Sequence, residues 1–233
     1  MSVMHRTTSA IAAMARRCLS KPVVGIPAVR KLLSGLLLLG VLFLPPLAAT
    51  AHGGGSAEEA VERLNQAILT ALHQPAATDF ATRVGLLRPL MVEAFDYPVM
   101  ARIAAGKYWE DFTEPQRDRY VGLFADLSVA AAASRFKAQP NARLTITGVR
   151  DGPRNTELIE TTLTLPGKPS RRISYLMRQD EAGQWKAVDI YFESRVSELS
   201  TKRSEYSSLL GRQGIAVFLE TLQKKLSEYQ EEA

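Results

Sequence analysis

The sequence predicts an α+β fold: a helical layer packed on a curved four-stranded antiparallel sheet, closed by a C-terminal helix. Three observations carry that prediction. Apolar residues recur at helical spacing from Val61 to Leu127, the period changes to two from Asn141, and helical spacing returns from Ile215. Strands that follow one another, instead of alternating with helices, pair as an antiparallel meander with the helices segregated to one side.

Each element has local support. Ser56 with Glu59 three places on is a capping box, and Val61, Leu64, Ile68 and Leu72 form the apolar stripe of a first helix. A second helix carries Phe80, Val84, Leu87 and Met91. In the segment FDYPVMARIAAG, Asp96 suits a cap, Pro98 the first turn and Gly106 the stop. Thr113 with Gln116 opens a fourth helix, with Tyr120, Phe124 and Leu127 on one side and an Ala-rich end before Pro140. ARLTITGVR and TELIETTLTLP then read as two strands. Gly167-Lys168-Pro169 turns into RRISYLMR, where Ile173, Tyr175 and Met177 share a face. A turn at Asp180, Glu181 and Gly183 leads to QWKAVDIYFE, with Val188, Ile190 and Phe192 expected on one face and Trp185, Ala187, Asp189 and Tyr191 on the other. Ile215, Phe218, Leu222 and Leu226 mark the closing amphipathic helix.

The first 51 residues read differently. Arg30 and Lys31 precede a 13-residue apolar run, residues 32–44, followed by Pro45-Pro46 and an A-x-A-like site at Ala49 and Ala51. That run is short of the ~20 residues needed to span a bilayer, so residues 1–51 are expected to be a cleaved signal peptide that exports the chain to the periplasm. Residues 52–56, with Gly53-Gly54-Gly55, are expected to be a flexible start, and residues 57–230 a single domain. Six of the 29 basic residues and none of the 24 acidic ones lie in the leader, so the remainder carries 23 against 24, a net charge of −1. The basic surplus therefore leaves with the leader, and no nucleic-acid partner is implied. Cys18 also lies in the leader; the mature part has no cysteine for disulfides, thiolate catalysis or metal sites.

No motif of catalysis is present. His52 and His73 are far apart and match no H-x-H or H-E-x-x-H spacing, so no metal is expected. There is no G-x-S-x-G, P-loop or dinucleotide fingerprint. Glu157 and Glu160 read as solvated strand charges. Asp96 has two readings, a helix cap or a buried base facing a pocket, and the cap is favoured by its position. The expectation is a protein that is not an enzyme and needs no cofactor.

Several stretches carry a resemblance. FDYPVMARIAAGKYW, the run Thr113 to Arg117, and WKAVDIYFE…VSELSTKRSEYSSLL…G…FLETLQKKL resemble the periplasmic carrier of the Mla lipid-transport system, the toluene-tolerance family. The matched elements include Phe95-Asp96, Met100, Gly106, Trp109, Trp185, Asp189, Arg203 with Tyr206, and Gly214. Where that family usually has Gly-Val-Ser-Leu, this chain has Ser194-Arg195-Val196-Ser197-Glu198-Leu199, which is more similar to the hopanoid-associated branch, HpnM. The resemblance implies an NTF2-like, MlaC-like scaffold enclosing an apolar pocket. It implies a monomeric carrier of phospholipid or hopanoid cargo, working between an inner-membrane ABC transporter complex and an outer-membrane lipid-transfer complex. The alternative is an exported enzyme or envelope adaptor on the same scaffold.

Candidate lining residues are Ile146, Leu163, Tyr175, Val188 and Ile190 from the sheet, with Phe95, Met100 and Phe124 from the helices. Periodicity alone does not separate a cavity wall from a filled core. At the pocket mouth, Ser197 or Ser200 is expected to cap a helix starting near Thr201, with Tyr206, Leu209 and Leu210 facing the sheet. Arg203 then either latches that helix to Asp189 or meets a lipid phosphate.

Overall fold

A computed structural model describes residues 55–135, 138–193 and 196–231; the expected leader and residues 52–54 lie outside them. Helix α1, Ala57–Leu72, opens on the expected capping box: Ser56 Oγ accepts the Glu59 N–H at 3.1 Å, and Glu59 Oε2 accepts the Ser56 N–H at 3.1 Å. Helix α2, Phe80–Ala94, is capped by Asp79, which accepts from the Thr82 N–H at 2.7 Å. Asp96 caps α3, Tyr97–Ala105, by accepting from Val99 at 3.1 Å. A 3-10 turn, Gly106–Asp111, leads to α4, Glu114–Arg135. Only half of the box expected there forms: Gln116 accepts from the Thr113 N–H at 2.9 Å. Caps of this kind contribute about 1 kcal/mol each. Among the described residues no helix is long and apolar enough to cross a membrane.

Strands β1 (Arg143–Asp151), β2 (Glu157–Thr164), β3 (Arg171–Gln179) and β4 (Trp185–Phe192) form the antiparallel meander in sequence order. A fifth strand, β5 (Val196–Ser197), adds to the expected four by pairing with β4 through Tyr191 and Phe192. Two residues are too few to show a period. The register slips between Ile146 and Gly148 in β1, and between Ala187 and Asp189 in β4 where it passes Leu176 and Met177. Such bulges bend a strand and increase its twist.

The β4 bulge corrects an expectation. Tyr175 pairs with Ile190 and Met177 with Ala187, so Ala187 and Ile190, three residues apart, share the core face. Val188 is the extra residue. It is buried, yet stands apart from the main core cluster that contains Ala187. Asp189 pairs with Leu176, on the opposite face from Trp185, whose partner is Gln179. One inserted residue resets strict alternation for everything beyond it.

The closing helix is also different. Helix α5 spans Glu198–Glu231 and is broken at Gly214, which has φ 75° and ψ 174°. Tyr206 and Phe218 have ring centroids 5.2 Å apart, and Glu205 reaches Lys225 at 3.3 Å. A straight helix would separate residues twelve apart by ~18 Å, so the two halves fold back on each other. Only glycine adopts that backbone conformation without strain. Tyr206, expected against the sheet, instead meets Tyr120 and Phe124 of α4 at 6.2 and 6.3 Å and Phe218 of its own helix. Phe112 joins Tyr120 and Phe218 at 5.5 and 6.3 Å. These largely edge-to-face contacts, ~0.5–1.5 kcal/mol each beyond area burial, close one end of the core.

Candidate functional site: an apolar cavity under the helices

A cavity of about 190 Å³ lies between the helices and the β3–β4 half of the sheet. The sheet contributes Ile173 and Tyr175 from β3 and Ile190 and Phe192 from β4, two cross-strand pairs of one face. Leu64 and Ile68 of α1, Met91 of α2, Phe95, Tyr97 and Met100 at the α2–α3 junction, and Phe124 and Leu127 of α4 complete the deep wall. The junction is fixed to the sheet: the Asp96 N–H donates to the Ala187 carbonyl at 3.0 Å, with Phe95 bridging to Ala187.

Of the residues expected to line a pocket, Phe95, Met100, Phe124, Tyr175 and Ile190 stand on this wall. Ile146, Leu163 and Val188 do not. Ile146 and Leu163 pack against the core cluster without reaching the cavity, and Val188 is displaced by the bulge. Leu64, Ile68, Ile173 and Phe192 were legible as members of the same stripes, but periodicity did not say which part of each stripe faced empty space. Tyr97 had no such signal.

The interior is chemically quiet. Its hydroxyls are those of Ser128, Tyr97, Tyr175 and Tyr206. Ser128 donates to the Phe124 carbonyl at 2.7 Å, satisfying itself within the helix. Burial pushes the phenols of Tyr97, Tyr175 and Tyr206 above their ordinary range, so all three are neutral near pH 7. Among the described residues the lining has one carboxylate, Glu198, and no histidine. Asp96 does not line the cavity; beyond its cap it pairs with Arg178 at 3.0 Å. No group of histidine and acidic side chains capable of holding a metal occurs among the described residues.

The mouth lies where lining residues reach solvent: Arg135 at the end of α4, Glu198 and Lys202 in the first turns of α5, and Lys225 and Tyr229 in its second half. The first half of α5 is held over the sheet, though not by Arg203. Buried Asp189 accepts from Ser197 Oγ at 2.6 Å, from the Leu199 N–H at 3.0 Å and from its own neighbour, the Ile190 N–H, at 2.7 Å. Ser197 Oγ in turn accepts from the Ser200 N–H at 2.8 Å, so Ser197 is the helix cap. The expected Arg203–Asp189 latch is corrected by this: the carboxylate is met by the helix's first turn, favoured there by the positive end of the helix dipole. Arg203, a turn further on, is exposed and lies across Gly106, where an added Cβ would come within 3.2 Å of its Nε. Nor does Arg203 line the cavity, so the headgroup alternative does not fit it either.

The profile of the family described as MlaC protein matches residues 62–224. A phospholipid-binding protein from Ralstonia solanacearum, solved in complex with a phospholipid, has a similar fold: TM-score 0.68, 16% identity, covering 76% of this chain and 99% of that one. No curated protein matches the sequence.

Proposed function

The chain belongs to the MlaC family, and on that premise we propose that it is a lipid carrier that holds the acyl part of one lipid in the cavity beneath α5. The observation that carries this is the wall itself: a sheet face and five helices enclose space with apolar side chains and self-satisfied or neutral hydroxyls. The phospholipid bound by the Ralstonia protein of the same fold supports the ligand class.

The energetics suit transport. Each buried methylene is worth ~0.8 kcal/mol, so moving one acyl chain bare through water costs on the order of 10 kcal/mol. An apolar wall that roughly matches the bilayer removes that barrier and still releases its load. At 190 Å³ the cavity is little larger than the ~150 Å³ apolar cavity that admits benzene. A whole lipid therefore enters as the walls part, and the boundary that gives is α5, whose first half hangs on the Asp189 cluster and whose return is hinged at Gly214. In the finer reading the chain is exported by its leader and shuttles phospholipid or a hopanoid-type lipid between an inner-membrane ABC transporter complex and an outer-membrane acceptor. The export signature in residues 30–51 and the SEL…RSEY variant support that reading.

The test is mass spectrometry of an organic extract of the purified protein, with protein quantified alongside. Lipid near one molecule per chain is expected. Lipid-free protein that also takes up none from vesicles overturns the carrier and returns the scaffold to an adaptor or enzyme.

A further inference from the structure

We propose that the hairpin end of the sheet, with Arg143, Lys168, Arg171 and Arg172, is a docking surface for an anionic lipid bilayer. The choice of a bilayer rests on the carrier reading. The surface itself is carried by how charge divides between the two ends of the sheet.

The register brings these cations together. Arg143 pairs with Thr164, Arg171 with Leu163 and Arg172 with Thr162, while Lys168 stands in the turn between β2 and β3. That turn is short and stiff. The Lys168 N–H donates to the Leu165 carbonyl at 3.1 Å, Gly167 has φ 72°, and Pro166 and Pro169 flank the pair. All four cations are exposed. Residues 143–145, 161–173 and 191–193 meet at this end and hold four cations against one carboxylate, Glu193, an excess of three. Glu193 meets Arg171 at 3.6 Å with both side chains well exposed, a pair too weak to quench the surplus. At the opposite end, residues 149–158 and 177–187 hold four cations against four carboxylates, with no excess.

The neighbourhood favours a bilayer over an acidic protein. Phe192, in the cavity wall, pairs with Ile173 on one side and with Val196 on the other, and Val196 is 55% exposed. Two residues on, Glu198 lines the same cavity. An exposed apolar side chain thus adjoins both the basic end and the cavity wall. Cations beside an apolar residue suit the headgroup zone of a bilayer, where anionic phosphates border hydrocarbon and each cation near the surface adds to the attraction.

The experiment separates docking from loading. Purified protein is sedimented with vesicles of dioleoylphosphatidylcholine alone, or of that lipid mixed equally with dioleoylphosphatidylglycerol, at low and high salt. Affinity is expected to rise roughly tenfold or more with the anionic lipid and to fall back at high salt. Combined Lys168→Glu, Arg171→Glu and Arg172→Glu should abolish that rise. The lipid load reached at equilibrium should not change, since none of the three lines the cavity. Glutamine at the same three positions, a milder change, should lower the rise in the same direction. Combined Arg63→Glu, Arg119→Glu and Arg212→Glu, the same charge change at exposed helix positions, should keep most of it. A native chain with no preference for anionic vesicles overturns the docking surface, as does a loss equally large in the helix variant. Binding to poly-glutamate without binding to vesicles also overturns it, in favour of an acidic protein partner. In each of these cases normal lipid load leaves the carrier reading intact. If neither vesicle loads the protein, the carrier reading fails, while sedimentation still decides the surface.

Discussion

The two halves of the sheet obey the same alternation and meet different fates. In the β1–β2 half, Leu144 and Ile159 are buried, and Ile146 and Leu163 pack against the main core cluster. In the β3–β4 half, Tyr175 belongs to that cluster and Ile173 and Ile190 pack against it too, but with Phe192 they also line the cavity, which Ile146 and Leu163 do not. Inward direction is a property of the strand, whereas what an inward side chain meets is set by the helices laid over it. Helix α1 crosses close to β1, while over β3 and β4 the cavity is bounded by residues of all five helices, with α4 and the folded-back α5 held together through aromatic rings. A filled core and a binding cavity thus share one sheet, and the boundary runs between β2 and β3.

The sharpest way to break that comparison is to put the same charge on each side of the boundary. Ile190→Glu places a carboxylate in the cavity wall, where an acyl chain cannot compensate it. Bound lipid should fall more than roughly tenfold while the folded protein persists, because the charge can reach the open space. Leu163→Glu strikes the filled half: it should cost about 2–4 kcal/mol of stability yet leave the load of the surviving folded protein near normal. Denaturant titration and lipid quantification read the two arms. Equal loss of lipid from both variants would erase the distinction.

Next in size is the attachment of α5 over the open half. Asp189→Ala removes the acceptor of Ser197 Oγ and of the Leu199 and Ile190 N–H groups, and should cost about 2–4 kcal/mol, since hydrogen bonds to a charged group are worth ~1.5–3 kcal/mol each. Arg203→Ala should stay within ~0.5 kcal/mol, as for other surface substitutions. The double substitution should be additive. Coupling between them would restore the ion pair that the geometry removes.

These contrasts mark what was legible in the sequence. Helices, caps and strand order follow from local signals, such as the Ser56–Glu59 box and the switch of period at Asn141, because each is decided within a few residues. The β4 bulge was not legible: AVDIYF is apolar on both faces apart from Asp189, and a single charged position does not fix the phase of the strand. Asp189 was recognised as needing a partner, but choosing Ser197 over Arg203 depends on how the chain turns between β4 and α5. The cluster of Lys202 with Lys225, 23 positions apart, exists only through the turn at Gly214.

That turn gives a third test, on the lid of the open half. Gly214→Ala forces a Cβ into a backbone region that is nearly glycine-only, at a cost of about 1–3 kcal/mol. The melting temperature should drop, and the load should drop with it, because the returning half of α5 no longer bounds the cavity. A normal melting temperature would show that the two halves of α5 do not need this return. Gly211→Ala, where an added Cβ would come within 2.7 Å of the Tyr108 hydroxyl, should be milder, since that ring can shift.

The smallest expected effect compares two buried tyrosines, one on each side of the boundary. Tyr120 lies in the filled aromatic cluster, where its hydroxyl has no hydrogen-bond partner; Tyr175 lies on the cavity wall. Burial raises the pKa of both phenols. Tyr120→Phe removes an unpaired polar atom and should be neutral or stabilising by up to ~1 kcal/mol at pH 7, with lipid load unchanged. Tyr175→Phe should leave stability similar but raise lipid retention slightly, since it makes the wall more apolar. The sign at alkaline pH is fixed by linkage. A phenol held neutral in the folded state binds its proton where the unfolded chain, with a pKa of ~10, has released it. Stability contributed this way is whole below pH ~10 and declines as pH rises above it. Each Phe substitution should therefore shallow that decline by the share of one titrating group. If Tyr120→Phe costs 2 kcal/mol or more at pH 7, its hydroxyl has a partner after all, and the filled half of the core is less dry than its packing indicates.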